Sequence, residues 1–467
     1  MKKYIFLFPV IVIYVLIISC ILPEEKYISE STQQEIVQYG VPFNKVPDPR
    51  DVTIYQINIR AFSDEGNFKG IISRLDSIKA LGVNLIYLMP TYPVGKVKSV
   101  NSPYCISDYM SVNNEFGTLD DLRELVAGAH KRDMAVILDW VANHTSWDNI
   151  WMKNKSWYQQ DSGGNIISPP GHNWKDVAQL NFTNPEMRQA MISAMKYWVL
   201  EANIDGFRCD YSDGPPFDFW KQALDTLKNN TGHKLIMLAE GSRSDHYAAG
   251  FDYNFGFKSF ETLKKIYKNS SSVRLIDSLN ISEYRGASDK QRMIRYLSNH
   301  DVNGSDGTPL ELFDGEKGSI AAFVVIAYMK SVPMIYNGQE VGIPYRLTFP
   351  FTSKNIDWSM NKHITAEYKK IIAFRNNSKA IRRGLLTSYS NDDICAFTKQ
   401  QDDEIVLVVV NIRNKVIDYS FIPALANSSW TDPINGGKVK LSEKITLQPY
   451  TYLILRKYLH VSINNNK

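Results

Sequence analysis

Hydrophobic and polar positions follow two rhythms along this chain. From Val52 onward, short apolar and β-branched runs recur at 53–59, 84–89, 135–139, 204–209, 235–239, 251–254, 293–297 and 333–336. Between them lie longer stretches, such as 70–81, 119–132, 185–202, 217–229 and 319–329, whose apolar positions return every three or four residues. The first pattern predicts buried parallel strands and the second amphipathic helices. Eight strands, each followed by a helix, describe an α/β chain folded as a (β/α)8 TIM barrel over 49–383. An open doubly wound sheet is the alternative arrangement, but no Gly-x-Gly-x-x-Gly follows the first strand.

Two departures from this rhythm mark other units. The third strand is followed by 144–181, rich in Gly, Pro, Asn and Trp and far longer than an ordinary strand-to-helix loop. It predicts a small excursion domain over the barrel mouth. Trp147, Trp151, Trp157 and Trp174 fall within it, and Trp140 just before. Most are expected to build the loop's own core, with one or two meeting a ligand. After a last helix at 366–377 the period becomes two, at 394–399, 405–411, 419–422, 445–447 and 452–455. Turn signals such as Asn391-Asp392-Asp393 and Asn435-Gly436-Gly437 separate these runs, predicting a C-terminal β-sandwich over 384–458 and a polar tail, 459–467.

The N-terminus reads as a targeting segment. Lys2-Lys3 precede an apolar run that ends in Ile17-Ile18-Ser19-Cys20, as in a secretory signal. A cysteine after the small residue resembles a bacterial lipobox, which implies lipidation at Cys20, a tether over 21–48 and an extracytoplasmic, membrane-anchored protein at the periplasm or outer membrane surface. An uncleaved anchor is the competing reading, although the run is short for a bilayer span. Composition narrows the rest. At 467 residues, 44% hydrophobic and 12% aromatic, the chain can fill a large core, and a formal charge of +4 without a basic run gives no footprint for nucleic acid. With Cys20 lipidated, Cys105, Cys209 and Cys395 leave an odd number, against a disulfide framework. Cys209 alternates away from its neighbours Arg208 and Asp210 and is expected to be a buried structural thiol.

The chemistry is carried by strand ends. In Gly206-Phe207-Arg208-Cys209-Asp210, Arg208 and Asp210 share one face of a strand. A guanidinium beside a carboxylate keeps it ionised and oriented, as a nucleophile requires, though a buried structural ion pair has the same sequence. Glu240 ends the fifth run, and Asn299-His300-Asp301 end the seventh, so that Asp301 is expected at a strand end like the other two. In a barrel these three acids converge at the face where active sites lie. Clustered acids without a phosphate loop leave glycoside cleavage or an oxygen-ligated metal, and the eight His show no close-spaced pairing. Mutual repulsion gives one protonated acid beside an ionised one, the requirement of a retaining glycosidase.

Leu138-Asp139-Trp140-Val141-Ala142-Asn143-His144, the run from Gly206 to Asp210, Glu240, and Ser298-Asn299-His300-Asp301 resemble, in order, the four signature regions of the α-amylase family, glycoside hydrolase family 13. Tyr55-Gln56-Ile57, Ser102-Pro103-Tyr104, Gln179-Leu180-Asn181 and Asn337-Gly338-Gln339-Glu340 extend the resemblance over nearly all of the chain after its leader. It implies that Asp210 is the nucleophile, Glu240 the acid and base, and Asp301 the group that holds sugar hydroxyls and stabilises the transition state. It further implies that Arg208 orients Asp210, that His144 and His300 bond the sugar on the non-reducing side of the cleaved bond, and that Tyr104 stacks on that ring. Asp139 and Asn143 would support from behind. The implied activity is hydrolysis of α-1,4 bonds in starch-like glucans or maltooligosaccharides, with no cofactor in the chemistry. A glucanotransferase or isomerase on the same site remains an alternative, as does a catalytically silent glycan-binding protein. Asp213-Gly214 stand where many members carry Lys-His, which leaves the subsites beyond the cleaved bond and the family's structural calcium near Asn143 open.

Overall fold

The computed structural model describes residues 36–459 together with Met1; Cys20 and the tail from 460 lie outside the described residues. Eight parallel strands close into a barrel: β1 (Ile54–Ile57), β2 (Leu85–Leu88), β3 (Ala135–Trp140), β4 (Gly206–Cys209), β5 (Ile236–Ala239), β6 (Tyr253–Phe255), β7 (Arg292–Tyr296) and β8 (Val332–Tyr336). The order is sequential, and Ile54 of β1 pairs with both Leu85 of β2 and Met334 of β8, so no edge remains. These strands are buried throughout, the reason their sequences are mostly apolar. Gly206 opens β4 at φ 139°, and a Cβ there would meet the Ile236 carbonyl at 1.9 Å. The Gly therefore sets how closely β4 approaches β5.

The helices follow local capping signals. Leu119–His130 begins with a capping box in which Thr118 and Asp121 satisfy each other's backbone N–H groups. Pro185–Glu201 begins with an Asn184 cap and Pro in the first turn. The single helix expected over 70–81 is two, Phe68–Ile72 and Leu75–Ala80, broken at Ser73-Arg74, where Arg74 leaves the axis to lie 4.2 Å over the Trp358 ring. Residues 37–48, expected as the end of a tether, run along the barrel wall instead. Phe43 stacks on His130 at 4.2 Å, Val46 is buried, and the Tyr39 amide donates to the Leu200 carbonyl.

The insertion after β3 is an antiparallel pair, His144–Ser146 with Val177–Gln179, joined by single-turn helices. Beyond the last barrel helix, Lys362–Asn377, a six-stranded antiparallel sheet faces a two-stranded one. Leu385–Ser388, Ser429–Thr431 and Lys438–Lys440 are additional strands, half-exposed and too short to show a period. The strand Glu404–Asn411 alternates between two cores: Val406, Val408 and Val410 join the barrel cluster, while Leu407 and Val409 join that of the sheets. It packs against the barrel helix Gly315–Tyr328, which is buried from Gly318 onward. Cys105, Cys209 and Cys395 are buried free thiols, as Cys209 was expected to be.

Candidate active site

The expected residues meet at the C-terminal ends of the strands. Arg208, inside β4, lies in register with Asp139 of β3 and Leu238 of β5, so its side chain sits between neighbouring strand ends. Its Nη1 donates to Asp139 Oδ1 at 2.6 Å and Asp210 Oδ1 at 2.9 Å. Its Nη2 makes an ionic contact of 2.5 Å with Glu240 Oε1, at an angle too poor for a hydrogen bond. One buried guanidinium thus faces three carboxyl groups, and its charge is divided among them. Asp139, fully buried, also accepts hydroxyl protons from Tyr87 (2.6 Å) and Tyr104 (2.9 Å), which locks Arg208 from behind.

Asp301 is placed differently from a strand end. β7 stops at Tyr296, and Asp301 is the second residue of a short helix, His300–Ser305, started by the Asn299 side chain accepting from the Asp301 and Val302 amides. Its carboxyl is 59% exposed, whereas those of Asp210 and Glu240 are 13% and 12% exposed at the cavity floor. His300 Nδ1 lies 2.8 Å from the Gln56 amide nitrogen, which as placed donates to it and leaves the ring proton on Nε2, 2.7 Å from the Tyr104 hydroxyl. Tyr104 and His300 are stacked at 5.2 Å. Burial lowers the His300 pKa and pushes His144 down to about 4, so both rings are neutral near pH 7.

Burial pushes Asp210 up to about 7 against the pull of Arg208, with Asp139 and Asp301 adding to the rise. Burial drives Glu240 well above the usual carboxylate range, again opposed by Arg208 and reinforced by Asp210 and Asp301. Asp210 and Glu240 titrate as a pair, both raised by burial, so that together they hold one proton more readily than two free carboxylates would. Arg208 contacts Asp210 as expected, and the same cation also serves Asp139 and Glu240.

Asn143 does not fit a calcium site. Its amide donates to Gln179 Oε1 and its carbonyl accepts from Gln179 Nε2, both at 3.2 Å, so two neutral amides satisfy each other where a hard cation needs several oxygens. Among the described residues no cluster of three or more His, Cys, Asp or Glu could hold a metal. Gly214 fits against this pair, for a Cβ there would meet Asn143 Oδ1 at 2.5 Å. Asp213 is spent on structure, accepting from the Ser242 and Arg243 amides.

The acids open into a cavity of about 900 Å³. Tyr104, His144, Asp210, Glu240, His300 and Asp301 line it, together with residues that sequence reasoning passed over: Asp176, Tyr211, Phe257, Phe349 and Phe351. Of the five tryptophans around the insertion only Trp174 lines the cavity. Trp140 is core, Trp151 packs on Tyr109, and Trp147 lies under the Lys98 ammonium at 3.5 Å. Two buried carboxyls on one guanidinium, one of them carrying a proton, can attack an acetal carbon and protonate its leaving oxygen together.

Comparison with known proteins agrees with this geometry. The model of the family described as "Alpha amylase, catalytic domain" matches residues 28–165 and 172–385. The chain belongs to that family. Alpha-amylase 2 of Dictyoglomus thermophilum is 29% identical over 75% of this chain, which spans 64% of that relative's length. A cyclomaltodextrinase of a Bacillus species is 26% identical over 74% of the chain and 65% of its own length. Among solved structures, an alpha-amylase from Lactobacillus plantarum superposes with a TM-score of 0.79 at 25% identity, covering 88% of this chain and 99% of that one.

Proposed function

We propose that this family member is a retaining glycosidase that cleaves α-1,4-glucosidic bonds in starch-like glucans or maltooligosaccharides. The observation that carries the reading is the pair Asp210 and Glu240 held by one buried guanidinium at the floor of a sugar-sized cavity. In the first step Asp210 attacks the anomeric carbon while Glu240 gives its proton to the glycosidic oxygen, so the C–O bond breaks and a covalent glycosyl-enzyme forms. In the second, the Glu240 carboxylate takes a proton from water, whose oxygen displaces Asp210 and restores the starting protonation. Asp301, exposed to the cavity, receives sugar hydroxyls and offsets the positive charge of the oxocarbenium-like transition state. Neutral His144 and His300 and the Tyr104 ring supply hydrogen bonds and stacking on the same sugar.

Transfer to a sugar acceptor is the second reading, supported by the aromatic wall of Tyr211, Trp174 and Phe257, which offers a second ring a stacking surface. The product profile on starch, pullulan, cyclodextrin, sucrose and trehalose separates hydrolase, transferase and isomerase. The first-formed product is expected to be the α-anomer by proton NMR, and a β-anomer overturns the mechanism. We further place the enzyme outside the cytoplasm on a lipid at Cys20; Cys20→Ser should abolish lipid labelling, and unchanged labelling removes the anchor.

A further inference from the structure

We propose that Tyr211 is a positioning residue for Glu240, held in a strained backbone conformation by a clasp of two rings, His172 and Trp174, that the insertion lays against it. The inference rests on Glu240 being the acid of the preceding section. Tyr211 directly follows Asp210 and has φ 40°, the left-handed region that non-glycine residues avoid. In that conformation its amide donates to Glu240 Oε2 at 2.8 Å. The next amide, Ser212, donates to the Glu240 carbonyl at 2.9 Å, so the turn after β4 grips Glu240 twice.

The strain is sustained from the side-chain end. His172 Nε2 lies 2.8 Å from the Tyr211 hydroxyl, and Trp174 meets the Tyr211 ring edge-on at 5.1 Å and 86°. His172 and Trp174 stack on each other at 4.0 Å, nearly parallel. Residues at the tip of the insertion therefore act on the acid through one backbone N–H, without a side chain of their own on it.

The groups facing Glu240 are Arg208 inside β4, Asp210 beyond its end, Asp301 on the helix after β7, Tyr87 of β2, Tyr296 of β7, and the Tyr211 amide. Among these Arg208 and the amide favour the ionised form. Losing the amide raises the Glu240 pKa, and the alkaline limb of the kcat/KM profile, which reports loss of the acid's proton, moves to higher pH. General destabilisation moves no limb.

Three variants test this. Tyr211→Ala removes the clasp but keeps the strain, so the residue relaxes and the limb should rise by about half to one pH unit with kcat down roughly tenfold. Tyr211→Gly also removes the clasp, yet glycine occupies φ 40° without cost, so its limb should stay near that of the parent enzyme although the ring is gone. Trp174→Ala should shift the limb in the same direction as Tyr211→Ala, by less. Equal limbs in Ala and Gly variants overturn the proposal. Carboxyl titration by 13C NMR, with the Glu240 signal assigned by its loss in Glu240→Gln, gives the same answer without turnover. If no glucan is cleaved, the functional reading falls, while a Glu240 pKa unmoved by Tyr211→Ala sinks the clasp.

Discussion

The two ends of the barrel bury charge of opposite sign, and they handle it differently. At the mouth, Asp139, Asp210 and Glu240 gather around one guanidinium, with Asp301 more exposed at the cavity beyond them. At the opposite end, Arg292, Arg375 and Lys399 are buried together, and among the described residues none of the three has a carboxylate within ion-pair distance. Arg375 donates to the Arg50 and Ser331 carbonyls and the Thr53 hydroxyl, and Lys399 to the Ile381 carbonyl. Backbone dipoles there do what a counter-ion would do elsewhere. The difference lies in what each group can give up. Carboxyls shed charge by taking a proton close to neutral pH, so the mouth stores a proton that chemistry can use. A guanidinium keeps its charge, so the far end is fixed scaffold, and only Lys399 there can discharge.

The largest effect that would break this contrast is at Asp210. Asp210→Asn should lower kcat by roughly 10⁴-fold or more and yet stabilise the fold. Burial raises the folded pKa of Asp210, so the folded state holds a proton that the unfolded state has released above pH 4. That contribution is full below the unfolded pKa and is lost as pH rises through about 7. The gain in Tm of the Asn variant should therefore be absent near pH 4 and greatest above pH 7; a lower Tm at pH 8 would mean the acids are not in conflict.

Glu240→Gln comes next, with glucan hydrolysis down roughly 10²- to 10⁴-fold. Turnover of α-glucosyl fluoride, whose leaving group needs little protonation, should fall far less, and an equal loss on both substrates would assign Glu240 another role.

At the far end the expected effect is on slope rather than rate. Lys399 has a folded pKa well below its unfolded value because of burial, with Arg292 and Arg375 adding. The unfolded chain binds that proton throughout the window between the two pKa values, so stability rises with pH there and the penalty is full below it. Lys399→Met should flatten this part of the stability-against-pH curve with kcat/KM unchanged. An unaltered slope would mean that the ammonium is charged and satisfied. Smallest of all, Trp147→Ala should leave kcat/KM within about twofold, since Trp147 lines no part of the cavity and packs under Lys98. A larger loss would move the substrate path onto the insertion's outer face.

Much of the barrel is legible in the sequence because each strand is buried on both sides and leaves a largely apolar run. The acids beside β4 and β5 are legible for the same reason, standing directly after such runs. Asp301 is less so: its position depends on an Asn299 cap, which moves it off the strand and into the opening. Phe257, Phe349 and Phe351 could not be read, as Phe257 opens a helix far from the other two, which share a short loop with no period. Tyr211 had no signal either, because a left-handed tyrosine looks like any other in sequence. The path of residues 37–48 hangs on little more than Phe43 and Val46, too few to outweigh the polar residues around them.

The strand Glu404–Asn411 serves two cores at once, and this orders events during synthesis. The helix Gly315–Tyr328, which follows Asp301 and leads into β8, keeps an uncovered greasy flank until residues nearly 80 positions further on have left the ribosome. One flank of that part of the barrel is therefore covered only by a later sheet, whose own residues never reach the catalytic mouth.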